Sequence, residues 1–146
     1  MFIYGKTASN AISLMSYLAA LPNGHIAGSH EMSKARGITK ALAAKILTRL
    51  ALAGLVRGQP GPGGGYCLGH PANSVSILDI ATLFAKIDPP SLCPFGPNWC
   101  GNKAPCPLHD KIAGMITANR QFMKNTRLSL FAKKNKASRT PSKRRV

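Results

Sequence analysis

The fold of this chain is decided by the stretch SHEMSKARGITKALAAKILTRLALA, residues 29–53, which predicts two helices joined by a tight turn. The first helix spans residues 29–36, and Ser29 is its expected N-cap. Gly37 supplies the turn, because glycine enters the left-handed conformation at little cost. Thr39 caps a longer helix that runs to about the end of the stretch. A short helix, a glycine turn and a longer helix form the helix-turn-helix pattern.

The longer of these two helices predicts a surface that contacts DNA. Its apolar residues recur at helical spacing and point inward, so the residues between them point outward. The outward face is small, polar and basic, and such a face enters a major groove without steric conflict. An ordinary solvated helix face is the alternative. The candidate contact residues on and beside this helix are Thr39, Lys40, Ala41, Ala44, Lys45, Thr48 and Arg49.

A hairpin rich in glycine and proline follows the second helix. Residues 55–57 are predicted as one strand and residues 66–68 as its partner, with the run GQPGPGGG between them. A hairpin directly after a recognition helix is a wing. The alternatives are a flexible linker or a phosphate-cradling loop, but the Gly-Lys-Ser/Thr sequence of a P-loop is absent. The candidate DNA contacts in the wing are Arg57, Gln59, Gly63 and Gly64.

Three further helices make the predicted fold mostly α with a small β-hairpin wing. The first helix covers residues 6–21, and the fourth covers residues 76–87 with Ser76 as its cap. A long terminal helix is predicted from Asp110 to about Phe131. The fold class is therefore a winged helix-turn-helix domain with a long C-terminal dimerisation helix.

An apolar seam runs along the terminal helix at alternating spacings of four and three residues. A seam with occasional polar positions is typical of helices that pair in a fixed register. We therefore predict a homodimer through the 110–131 helix; the alternative is that this helix packs back on its own domain. The seam residues are Ile112, Ile116, Asn119, Met123, Thr126 and Leu130.

The chain divides into three predicted parts. Residues 1–75 form the winged helix-turn-helix domain. Residues 76–131 hold a helix, a cysteine-rich loop (93–109) and the dimerisation helix. Residues 132–146 form a basic tail with seven Lys or Arg residues, which we expect to be disordered because it has too few apolar residues to pack.

The charge of the chain points to a nucleic-acid partner. Lys and Arg total 20 against 4 Asp and Glu, so the formal net charge is +16. This imbalance favours a polyanion, most simply double-stranded DNA. Four scattered carboxylates offer little acid–base chemistry, so we expect no enzyme. No apolar run reaches the length of a membrane span and no secretory leader precedes the first helix, so we expect a cytoplasmic protein without a membrane partner.

Three of the 4 cysteines lie in the loop CPFGPNWCGNKAPCPLH, residues 93–109. Thiolates favour zinc, copper(I) or an iron–sulfur cluster. Zinc usually takes cysteines two to four residues apart, whereas the wider and irregular gaps between Cys93, Cys100 and Cys106 favour a cluster. The alternatives are idle reduced thiols, a disulfide, or thiols that sense oxidation directly. Cys67 lies far away in sequence, on the second wing strand, and is not a predicted ligand.

The order of these elements resembles the IscR/NsrR (Rrf) family of transcriptional regulators over residues 1 to about 131. The most specific shared motif is Gly-Leu-Val at residues 54–56, followed by Gly-Pro-Gly-Gly-Gly-Tyr at residues 61–66. The resemblance implies a homodimer that holds one 2Fe-2S or 4Fe-4S cluster per subunit on the three loop cysteines. It also implies that the state of the cluster alters the affinity for a DNA operator.

The sequence departs from the family pattern at four places. The spacing between Cys93 and Cys100 is one residue longer than in the closest IscR pattern. Pro60 stands where the family commonly carries an arginine that enters the minor groove. The recognition helix has Ala-Leu-Ala-Ala-Lys at residues 41–45, where the family often has Ser-Tyr-Leu-Glu-Gln, so the operator is not inherited from relatives. Some members ligate through an acidic residue in the first helix, where this chain has Ser9 and Asn10. We therefore expect His109 as the candidate fourth ligand.

Overall fold

The computed structural model describes residues 5–22, 24–85 and 106–132 of the chain. The described residues form five helices, a further helical turn at residues 129–132 and one antiparallel two-stranded sheet, which confirms the mostly α fold with a small wing. No helix in the described ranges is long and apolar enough to cross a membrane. In chain order the elements are α1 (Gly5–Ala20), α2 (Ser29–Arg36), α3 (Lys40–Leu52), β1 (Val56–Gln59), β2 (Gly65–Leu68), α4 (Ile77–Ala81) and α5 (His109–Asn125).

The helix-turn-helix is confirmed, with one correction at its first cap. Gly37 has a φ of 64°, in the left-handed region that ends α2. Thr39 is the N-cap of α3, and its side chain accepts a hydrogen bond from the backbone N–H of Leu42 at 3.4 Å. The predicted cap of α2 was wrong, because Ser29 is already its first helical residue and Gly28 occupies the cap position without a side chain.

The core is formed where α1 lies against α3 and α4. Apolar side chains from α1, α2, α3, α4 and α5 belong to one cluster of buried residues. Burial of this apolar surface is the main term that holds the helix-turn-helix in place. The largest fully buried side chains in it are Leu14, Met15, Met32, Ile46, Leu47, Leu50, Ile80, Met123 and Leu128.

The wing is attached to the domain by hydrogen bonds along its second strand. β1 and β2 pair antiparallel, with Val56 opposite Leu68 and Gln59 opposite Gly65. Ala27, just before α2, exchanges two backbone hydrogen bonds with Tyr66, at 2.9 and 2.8 Å. Strand β2 of the wing is therefore tied to the segment that leads into the helix-turn-helix.

Helix α4 is shorter than the sequence predicts, although its start is correct. Ser76 and Asp79 form a capping box, in which each side chain accepts from the other residue's backbone N–H. The regular helix ends at Ala81. The next turn tightens, since the N–H of Phe84 donates to the carbonyl of Ala81 only three residues back, at 3.1 Å.

Helix α5 also ends earlier than predicted, at Asn125 instead of about Phe131. Thr126 is extended, and its carbonyl accepts from the N–H of Ile77 at 3.0 Å. The N–H of Leu128 donates to the carbonyl of Val75, also at 3.0 Å. A short antiparallel pairing with the chain before α4 therefore interrupts the predicted helix, and residues 129–132 are helical again.

Two faces of α5 carry apolar side chains. Ile116 and Met123 lie on one face and are 5% and 0% exposed, and Met123 belongs to the core cluster. Met115 and Phe122 lie on the other face and are 45% and 59% exposed. The predicted seam was therefore wrong at Met123, which packs inside its own chain. Leu108, which caps α5 and is also exposed, completes an outer stripe with seven-residue spacing.

Candidate functional site

The outer face of α3 presents the residues that the sequence assigned to DNA contact. All seven of them are exposed, from Thr39 to Arg49. The hydroxyl of Thr48 donates to the carbonyl of Ala44 at 2.8 Å, so its proton is already used within the helix. The cations on this face are Lys40, Lys45 and Arg49, and Leu52 continues the face as an exposed apolar side chain. This face is small and positively charged, as a surface that lies against DNA requires.

Arg49 lies at the edge of this face and contacts an aromatic ring. Its guanidinium carbon stands 5.6 Å from the ring centroid of Phe84, within the range of a cation–π interaction. Phe84 follows α4 and packs against the core as a half-buried side chain. The sequence assigned Arg49 to DNA contact but did not identify Phe84 as its neighbour, because the two residues lie in separate elements.

The tip of the wing depends on glycine at positions that no other residue would occupy without strain. Gly61 and Gly63 have φ values of 93° and 74°. A Cβ atom on Gly64 would stand 2.1 Å from the carbonyl oxygen of Gln59, so a side chain there would push the two strands apart. Arg57 and Gln59 are exposed on β1. The four wing residues predicted to contact DNA thus lie on a tight and exposed hairpin.

A cavity of about 710 Å³ lies at the base of the wing, beside the end of α1. Arg57 and Cys67, which are directly opposite one another in the hairpin, both line it. His25 and His70 line it as well. The sequence did not single out these histidines, since they are far apart in the chain and belong to no motif. Within the described ranges, no three His, Cys, Asp or Glu side chains are grouped so that they could hold a metal ion.

The predicted metal ligands are only partly described. Cys106 is buried just before α5, and His109 is the half-buried first residue of that helix. The backbone N–H of His109 donates to the carbonyl of Cys106 at 2.9 Å, so one tight turn brings the two residues together. Cys93 and Cys100 lie outside the described residues. Neither of the described cysteines, Cys67 and Cys106, is in a disulfide.

Comparison with known proteins identifies the fold and the family. Residues 4–134 match the sequence profile of the Rrf2 family, described as iron-dependent transcriptional regulators. A protein of Aquifex aeolicus (strain VF5), named as an HTH-type transcriptional regulator, is 29% identical over 126 residues, which cover 85% of this chain and 87% of that protein.

Solved structures share the fold at low sequence identity. CymR of B. subtilis, the global cysteine regulator, has a TM-score of 0.74 at 18% identity, with 89% of this chain and 95% of that chain covered. The oxidised form of Staphylococcus aureus CymR has a TM-score of 0.71 at 23% identity, with 90% and 96% covered. IscR of T. potens has a TM-score of 0.72 at 15% identity, with 94% and 91% covered.

The family match spans most of the chain, and the predicted family resemblance is confirmed. Since its relatives are regulators of transcription and not enzymes, the expectation of a non-enzyme is confirmed as well. The helix-turn-helix, the wing and the matched profile together show that the chain belongs to the Rrf2 family of transcriptional regulators.

Proposed function

We propose that this regulator acts in the cytoplasm as a homodimer that binds an operator in double-stranded DNA. In this proposal it senses redox, nitric oxide or iron–sulfur status through a cluster held by Cys93, Cys100 and Cys106. The observation that carries the proposal is that one chain has both a basic, exposed recognition helix and a buried cysteine just before α5.

DNA binding rests on the exposed face of α3 and on the wing. Lys40, Lys45 and Arg49 are exposed on α3 and supply positive charge there, and Arg57 supplies it on β1. Each cation that meets a phosphate releases a counterion, so affinity falls steeply with salt. The bases are then contacted by the short side chains Ala41 and Ala44, which bring the helix close to the floor of the groove.

Dimerisation rests on the outer stripe of α5, formed by Leu108, Met115 and Phe122. These three side chains are exposed although each is large and apolar. They repeat every seven residues, which is the spacing of helices that pair side by side. Regulators of this family are usually dimeric. A second copy of the chain is therefore the proposed partner for this stripe, and a two-fold dimer suits a pseudo-palindromic operator.

The donor set of the cysteine loop fits an iron–sulfur cluster. Three thiolates are the characteristic ligands of iron in such clusters, and an imidazole replaces thiolate in some of them. Cys106 is buried, which suits a thiolate ligand of a protected cluster, and the backbone turn between Cys106 and His109 supports His109 as a neighbouring ligand. Both residues stand at the N-terminal, positive end of α5, which favours the negative charge of thiolate ligands. The cluster would be 2Fe-2S or 4Fe-4S.

The alternative is a cluster-free regulator that senses oxidation of its cysteine thiols. Two comparisons favour it: B. subtilis CymR is described as a global cysteine regulator, and S. aureus CymR has been solved in an oxidised form. Thiolates oxidise reversibly to sulfenic acid or disulfide, which changes charge and loop geometry without any metal. Under this alternative the same cysteines matter, but iron is absent.

Anaerobic purification followed by iron, acid-labile sulfide and absorbance measurements separates the two. We expect a coloured wild-type protein, and variants Cys93→Ala, Cys100→Ala and Cys106→Ala that each lose most of the iron. His109→Ala should retain an intermediate amount, because another donor replaces imidazole more readily than thiolate. Cys67→Ala is the matched control and should keep its iron, since Cys67 lies on β2. A colourless, iron-free wild type whose operator affinity responds to peroxide would establish the alternative.

A further inference from the structure

Two arginines of the helix-turn-helix stand over aromatic rings, and their surroundings differ. Arg36, at the end of α2, lies 5.4 Å from the ring centroid of Tyr17 on α1. Arg49, on α3, lies 5.6 Å from the ring centroid of Phe84. The two distances are nearly equal, so the strength of the ring contact does not distinguish them. The hydrogen bonds that each guanidinium donates distinguish the two arginines.

The guanidinium of Arg36 is occupied inside the protein. Its Nε donates to the carbonyl of Ser13 and one terminal nitrogen donates to the hydroxyl of Ser16, both at 3.2 Å. Beneath it, the hydroxyl of Tyr17 donates to the carboxylate of Glu31 at 2.6 Å, which raises the pKa of Tyr17. Arg36 therefore fastens α2 to α1, and its donors are engaged by the two helices that it joins.

Within the described part of the chain, the ring of Phe84 is the one side chain that holds the guanidinium of Arg49. Among the described residues it has no carboxylate partner and donates no side-chain hydrogen bond. A cation–π contact with a ring uses no hydrogen-bond acceptor, so the N–H groups of the guanidinium that do not face the ring stay available. Because Arg49 borders the outer face of α3, those N–H groups lie where the phosphates beside a major groove would pass.

We propose that Phe84 is a positioning residue, which holds the guanidinium of Arg49 in place to donate to a DNA phosphate. A free arginine side chain loses considerable rotamer freedom when it binds a phosphate. An arginine that already lies against a ring has lost much of this freedom before it binds. The ring thus makes the phosphate contact stronger without touching DNA. This inference rests on the proposed DNA binding by α3.

The contact also joins the recognition helix to the turn after α4. Phe84 lies in that turn, nine residues before Cys93 in sequence. A displacement of Phe84 would withdraw the support of Arg49 while leaving the core of the helix-turn-helix intact, since Phe84 is only half-buried. The proposal therefore makes DNA affinity sensitive to the position of one ring outside the helix-turn-helix.

The test measures binding of the full chain to a short labelled duplex of random sequence, over a series of salt concentrations. Arg49→Ala should weaken binding and make the slope of log K against log salt shallower by about 0.9, the value for one phosphate contact. Phe84→Leu should weaken binding about two- to fivefold, and should flatten the slope in the same direction. Phe84→Trp should keep both the DNA affinity and the salt slope at their wild-type values, because tryptophan is the best cation–π partner.

The matched control is Tyr17→Leu, which removes the other ring. It should leave the salt slope unchanged, since Arg36 keeps its bonds to Ser13 and Ser16. In an Arg49→Ala background, Phe84→Leu should have no further effect on DNA affinity. The proposal is overturned if Phe84→Leu binds DNA like the wild type. It is also overturned if Phe84→Leu still lowers the DNA affinity when Arg49 is already alanine. A wild type that fails to bind any duplex at low salt would overturn both the positioning role and the proposed DNA binding.

Discussion

The two faces of α5 differ in burial although their residues are neighbours in the chain. Met115 precedes Ile116, and Phe122 precedes Met123, yet the first member of each pair is exposed and the second is buried. One residue along a helix is a rotation of about 100°, which is enough to move a side chain from the core to the surface. The helix therefore serves two partners, its own domain on one face and an exposed apolar stripe on the other.

Heptad spacing alone does not identify an interface in α5. Stripes with seven-residue spacing run through Ile116 and Met123 and also through Met115 and Phe122. Both are apolar, so periodicity assigns the dimer contact to either face. Only the position of the core shows which face of α5 is buried in its own chain. Met123 belongs to the core cluster, so its face packs against the domain.

The largest expected effect comes from the inner face. Met123→Asp puts an unpaired carboxylate into a fully buried position, and we expect a loss of about 4 kcal/mol or more in the free energy of unfolding. Circular dichroism during denaturant unfolding measures this loss. A variant that keeps wild-type stability would show that the inner face is not part of the core.

Substitutions on the outer face of α5 should affect the fold less than Met123→Asp does, and should affect assembly more. The double variant Met115→Asp, Phe122→Asp places like charges on the stripe, so two copies would repel one another where they now would pack. We expect a folded monomer, with helical circular dichroism close to that of the wild type. Light scattering coupled to size-exclusion chromatography measures the mass.

Two outcomes of that experiment would change the comparison. A dimer that survives the double substitution would place the interface outside the α5 stripe. A chain that unfolds, as Met123→Asp is expected to do, would show that the two faces do not have separate roles.

Features that depend on nearby residues could be predicted from the sequence. The turn at Gly37, the cap at Thr39 and the cap at Ser76 each involve partners within four residues, and all three were predicted correctly. The wing was predicted for the same reason, because its strands are joined by a short glycine-rich turn. The family motif at residues 54–66 also indicated the winged helix-turn-helix fold as a whole.

Features that depend on distant residues could not be predicted. The early end of α5 results from pairing of Thr126 with Ile77, which no local pattern encodes. The contact of Arg49 with Phe84 and the cavity that joins Cys67 to His25 are of the same kind. In the candidate site, the outer face of α3 followed from helical periodicity, whereas the neighbours of that face followed only from the tertiary structure.

The central claim is that the cysteine loop controls DNA binding, and one measurement tests it most directly. Operator affinity is measured at a single salt concentration for the cluster-loaded protein, the apo protein and the Cys93→Ala, Cys100→Ala, Cys106→Ala triple variant, on an operator selected from random duplexes. The account predicts that the loaded and apo proteins differ by about tenfold, a typical coupling between two sites, and that the triple variant matches the apo protein. Equal affinities for all three would contradict the account, since a group that interacts equally with both states shifts neither.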